Sequence, residues 1–145
     1  MYTKINEKDS AMKLGAIYSK EKTTFTLFSP VADSVFVIFY DKGNDSTETG
    51  RLEMMRGEGE LRSIFSATAE GNLDGVYYTY EVHTSDGTFS SHDPYARACG
   101  VNGHRSMVID LSKTDPDGFA DEDRPKLADP MSMVITEVSI ADVSA

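Results

Sequence analysis

One stretch, residues 74–105, limits what this chain can fold into more than any other. Within Tyr77-Tyr78-Thr79-Tyr80-Glu81-Val82 the residues alternate, so a β-strand places Tyr78, Tyr80 and Val82 on one face and Tyr77, Thr79 and Glu81 on the other. The first set is the one expected to face a core. Ser85-Asp86-Gly87 then offers the positive-φ position that a tight hairpin requires. A second short arm follows and Asp93-Pro94 closes it, Asp93 reading as a turn-capping carboxylate rather than a catalytic one.

The flanking sequence repeats this grammar. Thr23-Thr24-Phe25-Thr26-Leu27-Phe28 has a period of two and is rich in β-branched and aromatic residues, and Ser29-Pro30 ends it. Ser34 to Tyr40 is apolar on both alternating faces, so Phe36, Ile38 and Tyr40 form either a second buried face or a contact patch on the outside of the domain. Further strands are expected over 51–56, over 61–68 with Leu61, Phe65 and Ala67 on one face, and over 106–111. Met12 to Tyr18 is expected to form a short edge segment. Strands at this spacing, separated by Gly, Asn, Asp and Pro and with no long amphipathic helix, predict an all-β fold: an antiparallel, immunoglobulin-like β-sandwich of about seven or eight strands. The expected organisation is a polar lead-in over 1–11, the sandwich over 12–112, an acidic linker over 113–130, and over 131–145 one extra C-terminal strand.

Charge and cysteine content narrow the functional classes. A net charge of −10 over 145 residues argues against nucleic acid and anionic membranes as partners. The single cysteine, Cys99, has no internal partner, and the first residues lack the apolar core of a signal peptide, so the expected compartment is the cytoplasm. His83, His92 and His104 lack zinc-ligand spacing, and the acidic run around Asp115-Pro116-Asp117-Gly118 lacks a calcium-loop pattern. No metal, cofactor or catalytic residue is expected.

Several runs in order resemble a known family: Leu14-Gly15-Ala16, residues 22–35, Gly75 to Val82, Asp93-Pro94-Tyr95-Ala96, Gly100-Val101-Asn102-Gly103 and Met107 to Leu111. Together they are similar to the N-terminal family-48 carbohydrate-binding module of type I pullulanases of the family-13 glycoside hydrolases. Asp-Pro-Tyr-Ala followed closely by Gly-Val-Asn-Gly is the most specific part. Residues 135–144 also follow the frame of the first strand of a (β/α)₈ barrel. The departures are Phe28 and Phe119, with Leu61, where that family usually has Trp, and Thr136, Ser139, Ala141 and Val143 in place of Tyr, His, Arg and Phe.

The resemblance implies a noncatalytic accessory domain, packing on a catalytic (β/α)₈ barrel that hydrolyses α-1,6-glucosidic linkages. The family's nucleophile and acid lie beyond this frame. Two alternatives stand beside it: a stand-alone α-glucan (starch or glycogen) binding module, and a protein–protein interaction sandwich that binds no sugar. A sugar site needs an aromatic platform and a few hydrogen-bonding groups. Aligned on the hairpin, the family's platform and its neighbouring cation fall on Phe89 and Thr79, with Tyr77 as a further surface candidate. Phe36, Ile38 and Tyr40 are the candidates for docking the barrel.

Overall fold

A computed structural model describes residues 13–123 and 126–144; the lead-in expected over 1–11 lies outside them. The chain divides into two compact units, one ending at Lys113 and the other beginning at Thr114. Among the described residues the first unit carries nine strands: β1 (Gly15–Tyr18), β2 (Lys22–Phe28), β3 (Ser34–Tyr40), β4 (Gly50–Arg56), β5 (Ile64–Glu70), β6 (Tyr77–Thr84), β7 (Gly87–Ser91), β8 (Ala98–Cys99) and β9 (Ser106–Met107). All pairings are antiparallel, in the order β1-β2-β5-β4-β3-β6-β9-β8, with β7 also on β6.

β4 explains how a single sheet encloses a core. Its first part pairs with β3, from Gly50 opposite Phe39 to Met54 opposite Val35, and its end pairs with β5 through Met55 and Arg56. A strand that changes partners along its length turns the corner between two packed layers. The result is the all-β antiparallel sandwich that the alternation predicted. Its interior holds Phe25 and Leu27 of β2, Val35 and Val37 of β3, Met54, Phe65, Val108, and Tyr78 and Tyr80 of β6. Val82 is half-buried against the same cluster, so the three residues of the expected inner face of the hairpin all turn inward. Tyr78 meets Phe25 edge-on at 5.0 Å and Tyr80 at 5.8 Å between ring centroids, a geometry that adds about 0.5–1.5 kcal/mol per pair to simple burial.

Three expectations about strands need correction. The strand expected from Leu61 starts at Ile64, because Gly59 adopts a φ of +59° and begins a 3-10 turn over Gly59–Leu61. Leu61 is 41% exposed and does not join Phe65 in the core. The strand expected over 106–111 pairs as a strand only over Ser106–Met107, because carboxylates take over its later backbone groups. Asp110 N–H donates to Asp74 Oδ1 at 2.8 Å, and Ser112 N–H to Asp110 Oδ1 at 3.1 Å.

The second unit departs most. Among its described residues there is no strand over 131–143; the segment begins with a 3-10 turn, Pro130–Ser132, and ends in a one-turn helix, α1 (Ile140–Val143). Asp129 caps the 3-10 turn by accepting from Met131 N–H at 2.9 Å, and Pro130 supplies its fixed φ at the first position. The Met133–Val138 run between them has strand composition, but β-structure needs a neighbouring ladder to hold its backbone groups.

Candidate functional site

Asp93 organises the exit from the hairpin. It is 3% exposed, and its Oδ2 accepts the Tyr78 hydroxyl at 2.7 Å and the Tyr80 hydroxyl at 3.1 Å. Oδ1 accepts Tyr95 N–H at 2.8 Å, while Asp93 N–H donates to Ser106 Oγ at 2.8 Å. The turn cap expected from Asp-Pro is therefore present, and the same carboxylate also satisfies two tyrosines of the core. Burial, the first cause, and then the adjacent carboxylate push both tyrosine hydroxyls well above the usual phenol range. A buried carboxylate that accepts three bonds from the core and its own turn serves the fold.

Gly15 admits this knot against β1. A Cβ there would lie 2.8 Å from Tyr95 Cβ and 3.5 Å from Asp93 Oδ2, and its φ of +90° suits glycine.

The sugar candidates do not converge. Val82 is paired directly with Phe89, so Phe89 shares the face of Tyr80 and Val82, whereas Tyr77 and Thr79 point to the opposite face with Glu81. Thr79 is 5% exposed and its hydroxyl lies 3.2 Å from the Tyr40 hydroxyl, a hydrogen bond that occupies it. Tyr77 is half-buried, with its ring against Gly43, where a Cβ would sit 3.1 Å from Cε1. Phe89, 54% exposed on the edge strand β7, is the one member of the three open to a ligand.

The outer face of β3 is roofed from within the domain. Ile38 is 3% exposed. Phe36 lies between the His83 ring, edge-on at 5.5 Å, and the Arg51 guanidinium at 5.8 Å, while Tyr40 lies beneath Arg105 at 3.5 Å. Ile38 is thus buried, while Phe36 and Tyr40 stay half-buried beneath these side chains. Arg51 in turn bonds Glu48 at 2.8 Å and reaches Glu81 at 3.3 Å. The Glu48 hydrogen bond raises the Arg51 guanidinium further above its usual range and lowers the Glu48 carboxyl.

Arg105 is the structural residue that sequence reading missed. Its Nη1 donates to Lys42 carbonyl oxygen at 2.7 Å and to Ser46 Oγ at 2.8 Å, and Nη2 donates to Ser46 carbonyl oxygen at 2.8 Å. These bonds fold the 41–49 loop over Tyr40. Gly43 and Gly100 meet there, so a Cβ on Gly100 would lie 2.6 Å from Gly43 Cα. The signal was the Gly-Val-Asn-Gly run just before Arg105, in which Asn102 and Gly103 take positive φ and turn the chain toward that loop.

At the opposite end, Lys113 bonds Asp74 at 2.6 Å and approaches Asp110 at 3.7 Å. The Lys113 hydrogen bond lowers the Asp74 carboxyl, and the Ser112 hydrogen bond lowers that of Asp110. Asp110 and Ser112 line an open cleft of about 310 Å³ together with Tyr18 and Arg97. Among the described residues no group of three or more His, Cys, Asp or Glu side chains is placed to hold a metal ion.

A curled antiparallel sheet closed around one apolar core defines a β-sandwich of the immunoglobulin-like class. Residues 13–96 match the family model of carbohydrate-binding module 48, the isoamylase N-terminal domain, and the chain belongs to that family. Curated relatives include pullulanase A of Streptococcus pneumoniae serotype 4 (31% identical, over 75% of this chain and 9% of the relative). The pullulanase of Bacillus subtilis strain 168 is 28% identical over 91% of this chain and 17% of the relative. Among solved structures, the pullulanase of Bacillus acidopullulyticus superposes with a TM-score of 0.74 at 35% identity, over 81% of this chain and 14% of that one. The pullulanase of Paenibacillus barengoltzii, in complex with maltohexaose and α-cyclodextrin, gives 0.74 at 34% identity, over 81% of this chain and 18% of that one. The chain thus spans less than a fifth of the relatives it matches.

Proposed function

We propose that this chain is the noncatalytic accessory sandwich of a pullulanase-like α-glucan debranching system, in which a separate (β/α)₈ barrel hydrolyses the α-1,6-glucosidic linkages. The observation that carries this reading is the family match over residues 13–96 combined with relatives that extend far beyond it. The interior supports it chemically. Asp93 accepts three hydrogen bonds, and Asp74 and Asp110 are engaged with Lys113, Ser112 and backbone. Glycosidase chemistry requires two carboxyl groups facing each other across a substrate.

The test is incubation of the purified chain with pullulan and measurement of new reducing ends. No release above the blank is expected; steady turnover by homogeneous protein refutes the reading.

A second reading, direct contact with α-glucan, is favoured by Phe89, whose exposed ring on β7 can stack on a glucose face. It predicts retardation of the chain in native gels containing soluble starch and loss of that retardation in Phe89→Ala. Unretarded parent protein removes it.

A further inference from the structure

The outer face of β2 and β5 is built from uncharged residues over most of its length. Cross-strand pairs on the outer face of β2 and β5 run Lys22–Glu70, Thr24–Thr68, Thr26–Ser66 and Phe28–Ile64. Charge is confined to the first pair. From Thr24 to Phe28 this face carries none, although a quarter of the chain's residues are charged. Met55, opposite Ser66, extends it. Phe28 is 53% exposed and Met55 76%, and neither is among the residues packed on the core. The outer face of β3 is built differently, with Glu53, Arg51, Glu81 and His83 paired across from its residues.

We propose that this uncharged face, centred on Phe28, Ile64 and Met55, is where the module seats on the remainder of a pullulanase-like chain. The inference rests on the accessory-domain reading and assigns that reading its surface. Three observations name the occupant. More than four fifths of each matched solved pullulanase lies outside the match, so a module of this family is joined to a body several times its own size. Thr, Ser, Phe, Ile and Met from Thr24 to Phe28 and across to Met55 can be covered without stripping water from a charge, with Glu53 at the border, whereas the β3 side would have to desolvate Arg51 and Glu81. Finally, both positions in this unit where the family resemblance expects tryptophan fall at this corner. Phe28 pairs with Ile64, three residues beyond Leu61, and Ser29 N–H closes the corner by donating to Ser63 carbonyl oxygen at 2.8 Å. Large aromatic residues centred on a patch are the usual anchors of an interface.

The probe is the Paenibacillus barengoltzii pullulanase from which the segment matching this chain has been deleted. The full chain is added to it, and complex formation is followed by sedimentation velocity. Binding of the parent chain is expected, with at least a tenfold loss in Phe28→Glu and in Met55→Lys and an unchanged affinity in Asp86→Lys, at the exposed turn between β6 and β7. Both affected side chains are largely exposed, and circular dichroism checks that each variant keeps the sheet. Undiminished binding by Phe28→Glu and Met55→Lys overturns the assignment, as does an equal loss in Asp86→Lys or failure of the parent chain to bind. The pullulan assay decides the accessory reading separately, since it needs no partner.

Discussion

Replacing Asp93 by alanine is the sharpest perturbation of this fold. The substitution strips the acceptor from the hydroxyls of Tyr78 and Tyr80, both 0% exposed, and from Tyr95 N–H. Each buried polar group left unpaired costs about 1–3 kcal/mol. Two hydroxyls and one amide therefore set an upper range of roughly 3–9 kcal/mol, and a water entering the space reduces it to about 3–5 kcal/mol. That is a large share of the roughly 5–15 kcal/mol that holds a domain of this size. Urea unfolding followed by far-ultraviolet circular dichroism measures it. A double-mutant cycle with Tyr80→Phe isolates one arm, because removing the hydroxyl in the alanine background relieves an unpaired group. The coupling is expected to be about 1 kcal/mol or more. A loss below about 0.5 kcal/mol for Asp93→Ala, within the range of ordinary surface substitutions, refutes the reasoning.

Other consequences are simpler to read. Tyr78 and Tyr80 have folded-state values raised above that of a free phenol, so they favour the fold fully below about pH 10 and lose that contribution as pH rises beyond it. Absorbance at 295 nm is expected to show these two of the seven tyrosines ionising only with alkaline unfolding; seven titrating in the intact fold contradicts this. Asp74 and Asp110 are depressed, so their contribution is present above about pH 4 and fades as pH falls through their folded values. Lys113→Ala should flatten that acid limb of a thermal-stability profile. Gly100→Ala forces a Cβ to within 2.6 Å of Gly43 Cα and should cost about 1–3 kcal/mol, while Gly50→Ala, with nothing within 4 Å, should fall within about 0.5 kcal/mol of the parent. Arg105→Ala should raise amide hydrogen exchange across 42–48, since three bonds hold that loop; unchanged exchange would show that the loop is held otherwise.

The hairpin and the sandwich were legible because alternation is a local signal. Tyr78, Tyr80 and Val82 could turn inward only together, and Ser34 to Tyr40 gave a strand with the bounds expected of it. What stayed hidden depended on partners distant in sequence. Nothing local in Thr79 shows that Tyr40 takes its hydroxyl, and nothing in Phe36, Ile38 and Tyr40 shows that Arg51, His83 and Arg105 roof them. Phe89 and Thr79 looked like neighbours because the turn's register, which decides the face of every residue beyond it, was not fixed by Ser-Asp-Gly alone. The segment 131–143 has strand composition, but composition supplies no adjacent edge.

The most direct test of an accessory role is the survival of an enzyme in this module's presence. The truncated Paenibacillus barengoltzii pullulanase would be held at a temperature that inactivates it within an hour, with and without a saturating amount of this chain, and residual debranching followed over time. The account predicts a longer half-life with the chain present, and no such gain with Phe28→Glu; superimposable decay curves for the enzyme alone and with the parent chain would contradict it.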